Sequence, residues 1–129
     1  MSKEVKFLVV DDFSTMRRII KNVLNDIGYS SVTEADDGNT AWPLLQQGQF
    51  DFLITDWNMP GMPGLDLVKA VRADARLGGM PVLMLTAESK REQIAEAAQA
   101  GVNGYIIKPF TATTLKEKIE KILTLRKAS

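Results

Sequence analysis

The 129-residue sequence contains no cysteine and no histidine. The first absence excludes disulfides, thiolate metal sites and a thiol nucleophile. The second removes the commonest general base, the commonest metal ligand and any histidine-based triad. A metal bound by this chain is therefore held by oxygen, which favours hard cations such as Mg²⁺, Mn²⁺ or Ca²⁺. Neither sign of charge is in excess, since Lys plus Arg and Asp plus Glu number 16 each. Nucleic acid and anionic membrane surfaces are held by a basic surplus, so neither is expected as a partner. Long hydrophobic runs are also missing. No apolar segment approaches the ~20 residues that cross a bilayer, and the run in "MSKEVKFLVV" is too short for a signal peptide. The expectation is a soluble cytoplasmic protein with one domain over residues 1–129.

What is present is an alternation. Short apolar runs occur at "KFLVV" (6–10), "SVTEA" (31–35), "DFLIT" (51–55), "PVLML" (81–85) and "GYIIK" (104–108). Four of them lack polar alternation, as strands covered on both faces do, while the more polar "SVTEA" suits an edge. Helical patterns lie between and after them. Met16, Ile19, Ile20, Val23, Leu24 and Ile27 recur at helical spacing before a stop at Gly28. Leu65, Val68 and Val71 form a shorter stripe, "SKRE" (89–92) reads as a capping box, and Leu115, Ile119, Ile122 and Leu123 line a last helix. The pattern predicts an α/β fold, (βα)₅, with a doubly wound parallel five-stranded sheet. Pro43 conflicts with a helix over "NTAWPLLQQG". An interior proline costs ~3 kcal/mol, so the helix starts late, near Trp42, or is kinked.

In such a sheet, ligands gather outside the carboxyl ends of the strands. Asp11 and Asp12 follow the first run, Asp56 the third, Thr86 the fourth, and Lys108 ends the fifth. Singly, an aspartate after a strand is usually a turn residue. Together these residues converge if the strands are neighbours. Like charges at 4 Å repel by ~4 kcal/mol at an effective dielectric of 20, a cost that a divalent cation removes. Lys108 can pair with a carboxylate or a phosphoryl group, and Thr86 can donate to a phosphoryl oxygen. An aspartate can itself be a nucleophile toward phosphorus. Asp56 is the best candidate because it stands alone, whereas Asp11 and Asp12 form a metal-holding pair.

The segments "FLVVDDFSTMRRII", "DWNMPGM", "PVLMLTAE", "AAQAGVNGYIIKPFT" and "LKEKIEKI" resemble the receiver domain of two-component response regulators, in particular the chemotaxis type. The resemblance covers nearly the whole chain and implies the flavodoxin-like strand order 2-1-3-4-5. It implies that Asp56 is the phosphoacceptor. It implies that Mg²⁺ is organised by Asp11 (directly or through water), Asp12, Asp56 and the backbone carbonyl of Asn58. Lys108 would contact the phosphoryl group, Thr86 would move to bond it, and Tyr105 would be the aromatic switch that turns inward with Thr86. Asn58 and Glu88 would influence how fast the phosphoryl group is lost, and Lys108–Pro109 would be a cis bond. One departure is Pro63, where the family usually has an acidic residue before the glycine. It bears on the loop rather than on the metal ligands.

No output domain is expected after the last helix, so the signal is expected to leave through a surface. Lys90, Arg91, Ile94, Tyr105 and Lys118 form a basic and apolar patch suited to an acidic amphipathic segment. The resemblance implies a histidine kinase, a flagellar motor switch protein and a phosphatase as partners, with the protein itself a monomer and not an enzyme. Three other readings stay open. They are a phosphorelay receiver with a non-motor partner, a Mg²⁺-dependent phosphohydrolase with an aspartate nucleophile, and a flavodoxin-like electron carrier. The second class usually shows Asp-x-Asp after the first strand. The third must cradle a phosphate where Asp11 and Asp12 would repel it.

Overall fold

The computed structural model describes residues 5–59, 61–87 and 91–128. Five strands alternate with five helices: β1 (Phe7–Val10), α1 (Ser14–Asp26), β2 (Val32–Ala35), α2 (Gly38–Gln47), β3 (Phe52–Asp56), α3 (Gly64–Ala73), β4 (Val82–Thr86), α4 (Arg91–Ala100), β5 (Gly104–Ile107) and α5 (Ala112–Ala128). The strands form one parallel sheet in the order β2-β1-β3-β4-β5, the flavodoxin-like arrangement. The polar run 31–35 does supply an edge strand. The three central strands are buried along their whole length, which is why their sequences show no polar alternation.

Successive residues of those strands feed two separate cores. Phe7, Val9, Phe52, Ile54, Leu83 and Leu85 pack with Ile20, Val23 and Leu24 of α1 and with Leu115, Ile119 and Ile122 of α5. Leu8, Val10, Leu53, Val82 and Met84 pack instead with Ala41 and Leu45 of α2, Val68 and Val71 of α3 and Ala97 of α4. Burying one such leucine stabilises by about 1.5–3 kcal/mol. With both faces of the sheet covered, its free carboxyl edge is the place left for chemistry.

Three expectations need correction or completion. Ile19 belongs to the periodic stripe of α1 but is 42% exposed, because α1 buries a narrower face. Helix α2 does not start late. It begins at Gly38, where the Asp37 carboxylate accepts from the Thr40 N–H at 2.9 Å, and it carries Pro43 inside. Pro43 lies on the exposed side of the helix, and burial of Ala41 and Leu45 holds the helix despite the missing bond. Third, Asp56 and Thr86 are the last residues of β3 and β4 rather than loop residues. Ser89 of the expected capping box lies outside the described residues. Lys108–Pro109 is cis.

Candidate functional site

Strand register brings the site together. Val10 pairs with Thr55, so Asp11 and Asp56 follow side by side at the carboxyl edge. Asp56 pairs with Leu85, and Thr86 pairs with Ile107. The Lys108 N–H donates to the Thr86 carbonyl at 2.7 Å, which carries the ladder one residue further and delivers the lysine beside Thr86. From there the Lys108 ammonium donates to Asp11 Oδ2 at 3.0 Å and to Asp56 Oδ1 at 3.1 Å.

The two neighbouring acids are not equivalent. Asp11 is 1% exposed. Its Oδ1 accepts from the Phe13 N–H at 2.9 Å. Asp12 is exposed and lines an open cleft of about 420 Å³ together with Trp57, Asn58, Met59 and Pro63. Carboxylate oxygens of Asp11, Asp12 and Asp56 all lie within 4.8 Å of one another. Three acids thus face one ammonium. An all-oxygen donor set of this charge and spacing fits a hard divalent cation.

Burial raises the Asp56 carboxyl above its ordinary range; the Lys108 charge pulls it down, and the Asp11 charge adds to the rise. Burial also works against the Lys108 ammonium. There the hydrogen bond to Asp11 and the charges of Asp56 and Asp11 win, so the lysine keeps its proton more tightly than usual. The acceptor candidate is therefore a partly desolvated carboxylate with a fixed cation beside it.

The β3–α3 loop is pinned at its base. The Gly64 N–H donates to the Trp57 carbonyl at 2.9 Å, and a Cβ on Gly64 would lie within 1.9 Å of the Asp56 carbonyl oxygen. Only glycine allows the start of α3 to approach β3 this closely. Pro63 stands at the N-cap of α3 and supplies no side-chain cap.

Of the remaining sequence-predicted residues, Thr86 is fully buried at the end of β4. Tyr105 is half-buried on edge strand β5, packed against the core of α2, α3 and α4. Ile94 is exposed on α4 and Lys118 half-buried on α5, helices on opposite faces of the sheet that flank β5. Glu88 and Lys90 lie outside the described residues, and of Arg91 only the backbone is described.

The response regulator receiver domain profile matches residues 7–120. The chain belongs to this family. Among curated proteins, the receiver is 71% identical over 118 residues to chemotaxis protein CheY of Pseudomonas aeruginosa, covering 92% of this chain and 95% of that one. It is 67% identical over 122 residues to chemotaxis protein CheY-3 of Vibrio cholerae, covering 95% and 94%. Among solved structures, the receiver superposes on chemotaxis response regulator CheY4 of Vibrio cholerae with a TM-score of 0.87 and 38% identity, over 93% of this chain and 99% of that one.

Sequence reasoning missed one residue of the receiver's site. Arg17 donates through Nη1 to the Asp11 carbonyl at 2.6 Å and through Nε to Glu34 at 3.0 Å. The available signal was its position one turn into the helix that leaves the Asp11–Asp12 loop. Among the described residues, no helix is long and apolar enough to cross a membrane.

Proposed function

We propose that this chain is a phosphorylation-activated, single-domain response regulator of chemotaxis, acting in the cytoplasm. It accepts a phosphoryl group on Asp56 from a histidine kinase. Its active form binds the flagellar motor switch and so controls rotation, and a phosphatase or bound water ends the signal. The observation that carries this reading is the cluster in which Lys108 bridges Asp11 and Asp56 while Asp12 stands open beside them. The names of the relatives support the chemotactic role, and the resemblance to the family suggests the partners.

In the transfer, a carboxylate oxygen of Asp56 attacks phosphorus. The P–N bond of the phosphohistidine breaks, and the imidazole nitrogen keeps the electron pair. Asp11, Asp12, Asp56 and the Asn58 carbonyl would hold Mg²⁺, which would supply charge neutralisation for the transfer. Lys108 already faces the attacking group, so an arriving phosphoryl oxygen offers its ammonium a new acceptor. The Thr86 hydroxyl reaches the phosphoryl group by a shift at the end of β4, and Tyr105 fills the space that this shift opens. Loss of the group is attack by water on phosphorus, with inorganic phosphate leaving and Asp56 restored. By resemblance to the family, Asn58 and Glu88 would influence how fast this happens. Lys90, Arg91, Ile94, Tyr105 and Lys118 are the residues that would contact the kinase, the motor switch protein and the phosphatase.

Intact mass after incubation with acetyl phosphate tests the chemistry, with and without Mg²⁺, on the native protein and Asp56→Asn. One added phosphoryl group that requires both Mg²⁺ and Asp56 is expected. No adduct on the native protein would refute the receiver chemistry. Phosphorylation-dependent binding of a motor switch peptide then separates a motor regulator from a phosphorelay intermediate.

A further inference from the structure

We infer that Arg17 and Glu34 form a positioning pair that fixes the Asp11–Asp12 peptide for metal binding. This rests on the proposed Mg²⁺-dependent function. Asp11 is held at four points. Its N–H donates to the Ala35 carbonyl at 3.1 Å, Oδ1 accepts from the Phe13 N–H, and Oδ2 accepts from Lys108. The fourth point is its carbonyl, which accepts from Arg17 Nη1 at 2.6 Å. That carbonyl belongs to the peptide unit from which Asp12 hangs. Asp12 is exposed, so its backbone anchor largely sets where its carboxylate is offered. A guanidinium that fixes this peptide plane aims two candidate ligands at once.

An arginine beside a cation site would ordinarily repel the cation. Here its Nε donates to the Glu34 carboxylate on edge strand β2 at 3.0 Å, so the pair is formally neutral. Glu34 is on the solvent side of the pair, and the two side chains are 18% and 37% exposed. The arrangement supplies geometry without adding net positive charge. Partners that orient metal ligands in this way typically change metal affinity by about 10–100-fold when removed.

The alternative is that the pair merely ties α1 to β2. It is separated by Mg²⁺ titration of the folded protein, read by Trp57 emission in a Trp42→Phe background, well below the melting temperature. Trp57 lines the cleft with Asp12 and follows Asp56 directly, so its emission reports the site. Arg17→Ala is expected to weaken Mg²⁺ binding about tenfold. Glu34→Gln, which keeps shape and removes the charge that balances the guanidinium, is expected to weaken it about threefold, within the usual range of pairwise charge effects. The double variant should match Arg17→Ala, because Glu34 acts only through the arginine. If Arg17→Ala fails to fold, Glu34→Gln alone decides. Affinities within twofold of native, with only the melting temperature lowered, would overturn the inference and leave the function standing. A native protein with no saturable Mg²⁺ response would overturn both.

Discussion

Replacing Asp56 by asparagine should stabilise the metal-free protein. The substitution keeps the shape and still offers Lys108 an oxygen acceptor, but it removes a carboxylate that is 6% exposed and set beside Asp11. The raised carboxyl of Asp56 means that its ionisation costs more in the folded protein than in the unfolded chain. Two like charges about 4 Å apart repel by about 1 kcal/mol in water and about 4 kcal/mol at an effective dielectric of 20, and Lys108 offsets part of this, so a gain of about 1–2 kcal/mol is expected at neutral pH. For a chain of this length, 1 kcal/mol corresponds to about 4 °C in Tm. The sign gives the pH window. Below the unfolded value near 3.8 the native aspartate is protonated in both states, and the two proteins should be equally stable. As pH rises through the raised folded value, the native protein alone loses stability, and the gap then stays constant to pH 8. The assay is urea unfolding of both proteins across this range in chelator. Addition of Mg²⁺ should shrink or reverse the gap, since an ion bound to the native fold stabilises it by about 2.7 kcal/mol at a hundredfold excess over Kd. An asparagine variant less stable than native at pH 7 without metal, or a gap independent of pH, would refute the reasoning.

Lys108→Met should destabilise by about 2 kcal/mol at pH 7, between the values for buried and surface pairs, because Asp11 and Asp56 would then repel without an intervening cation. The stabilisation due to Lys108 is fully present below the unfolded lysine value of 10.5 and is lost as pH rises through its raised folded value, so the native and variant denaturation curves should converge only in that alkaline range. Gly64→Ala should cost about 3 kcal/mol, since its methyl group would overlap the Asp56 carbonyl; a loss under about 1 kcal/mol in chemical denaturation would show that strand and helix part easily. Pro63→Ser should be more stable than Pro63→Ala by about 1 kcal/mol, because the hydroxyl can accept from the uncapped first turn of α3, and equal stabilities would show the cap is out of reach.

Much of this molecule is legible in its sequence because four of its strands are strongly apolar and each strand ends in, or is followed at once by, a polar residue. Five apolar runs gave five strands, and the carboxyl-edge rule brought Asp11, Asp56, Thr86 and Lys108 to one place before any contact was known. What stayed hidden depends on three dimensions. Periodicity counted Ile19 as core, yet how wide a helix face is buried depends on the neighbouring helix. Propensity argued against Pro43, but burial of Ala41 and Leu45 outweighed it. "Asp-Asp" reads as a pair, whereas one member is locked by Phe13 and Lys108 and the other faces solvent. Arg17 carried no motif at all, since its role depends on the turn of α1 that swings it back over the peptide it follows.

The clasp at the foot of the β3–α3 loop separates the placement of Asp56 from the length of that loop. With Gly64 bonded to Trp57 and seated against the Asp56 carbonyl, the chain leaves and re-enters the domain at nearly one point. Lengthening a closed loop costs little, about 0.6 kcal/mol for each doubling. The loop between Asn58 and Gly64 can therefore be lengthened, shortened or exchanged to alter what approaches the site, while Asp56 stays where β3 sets it.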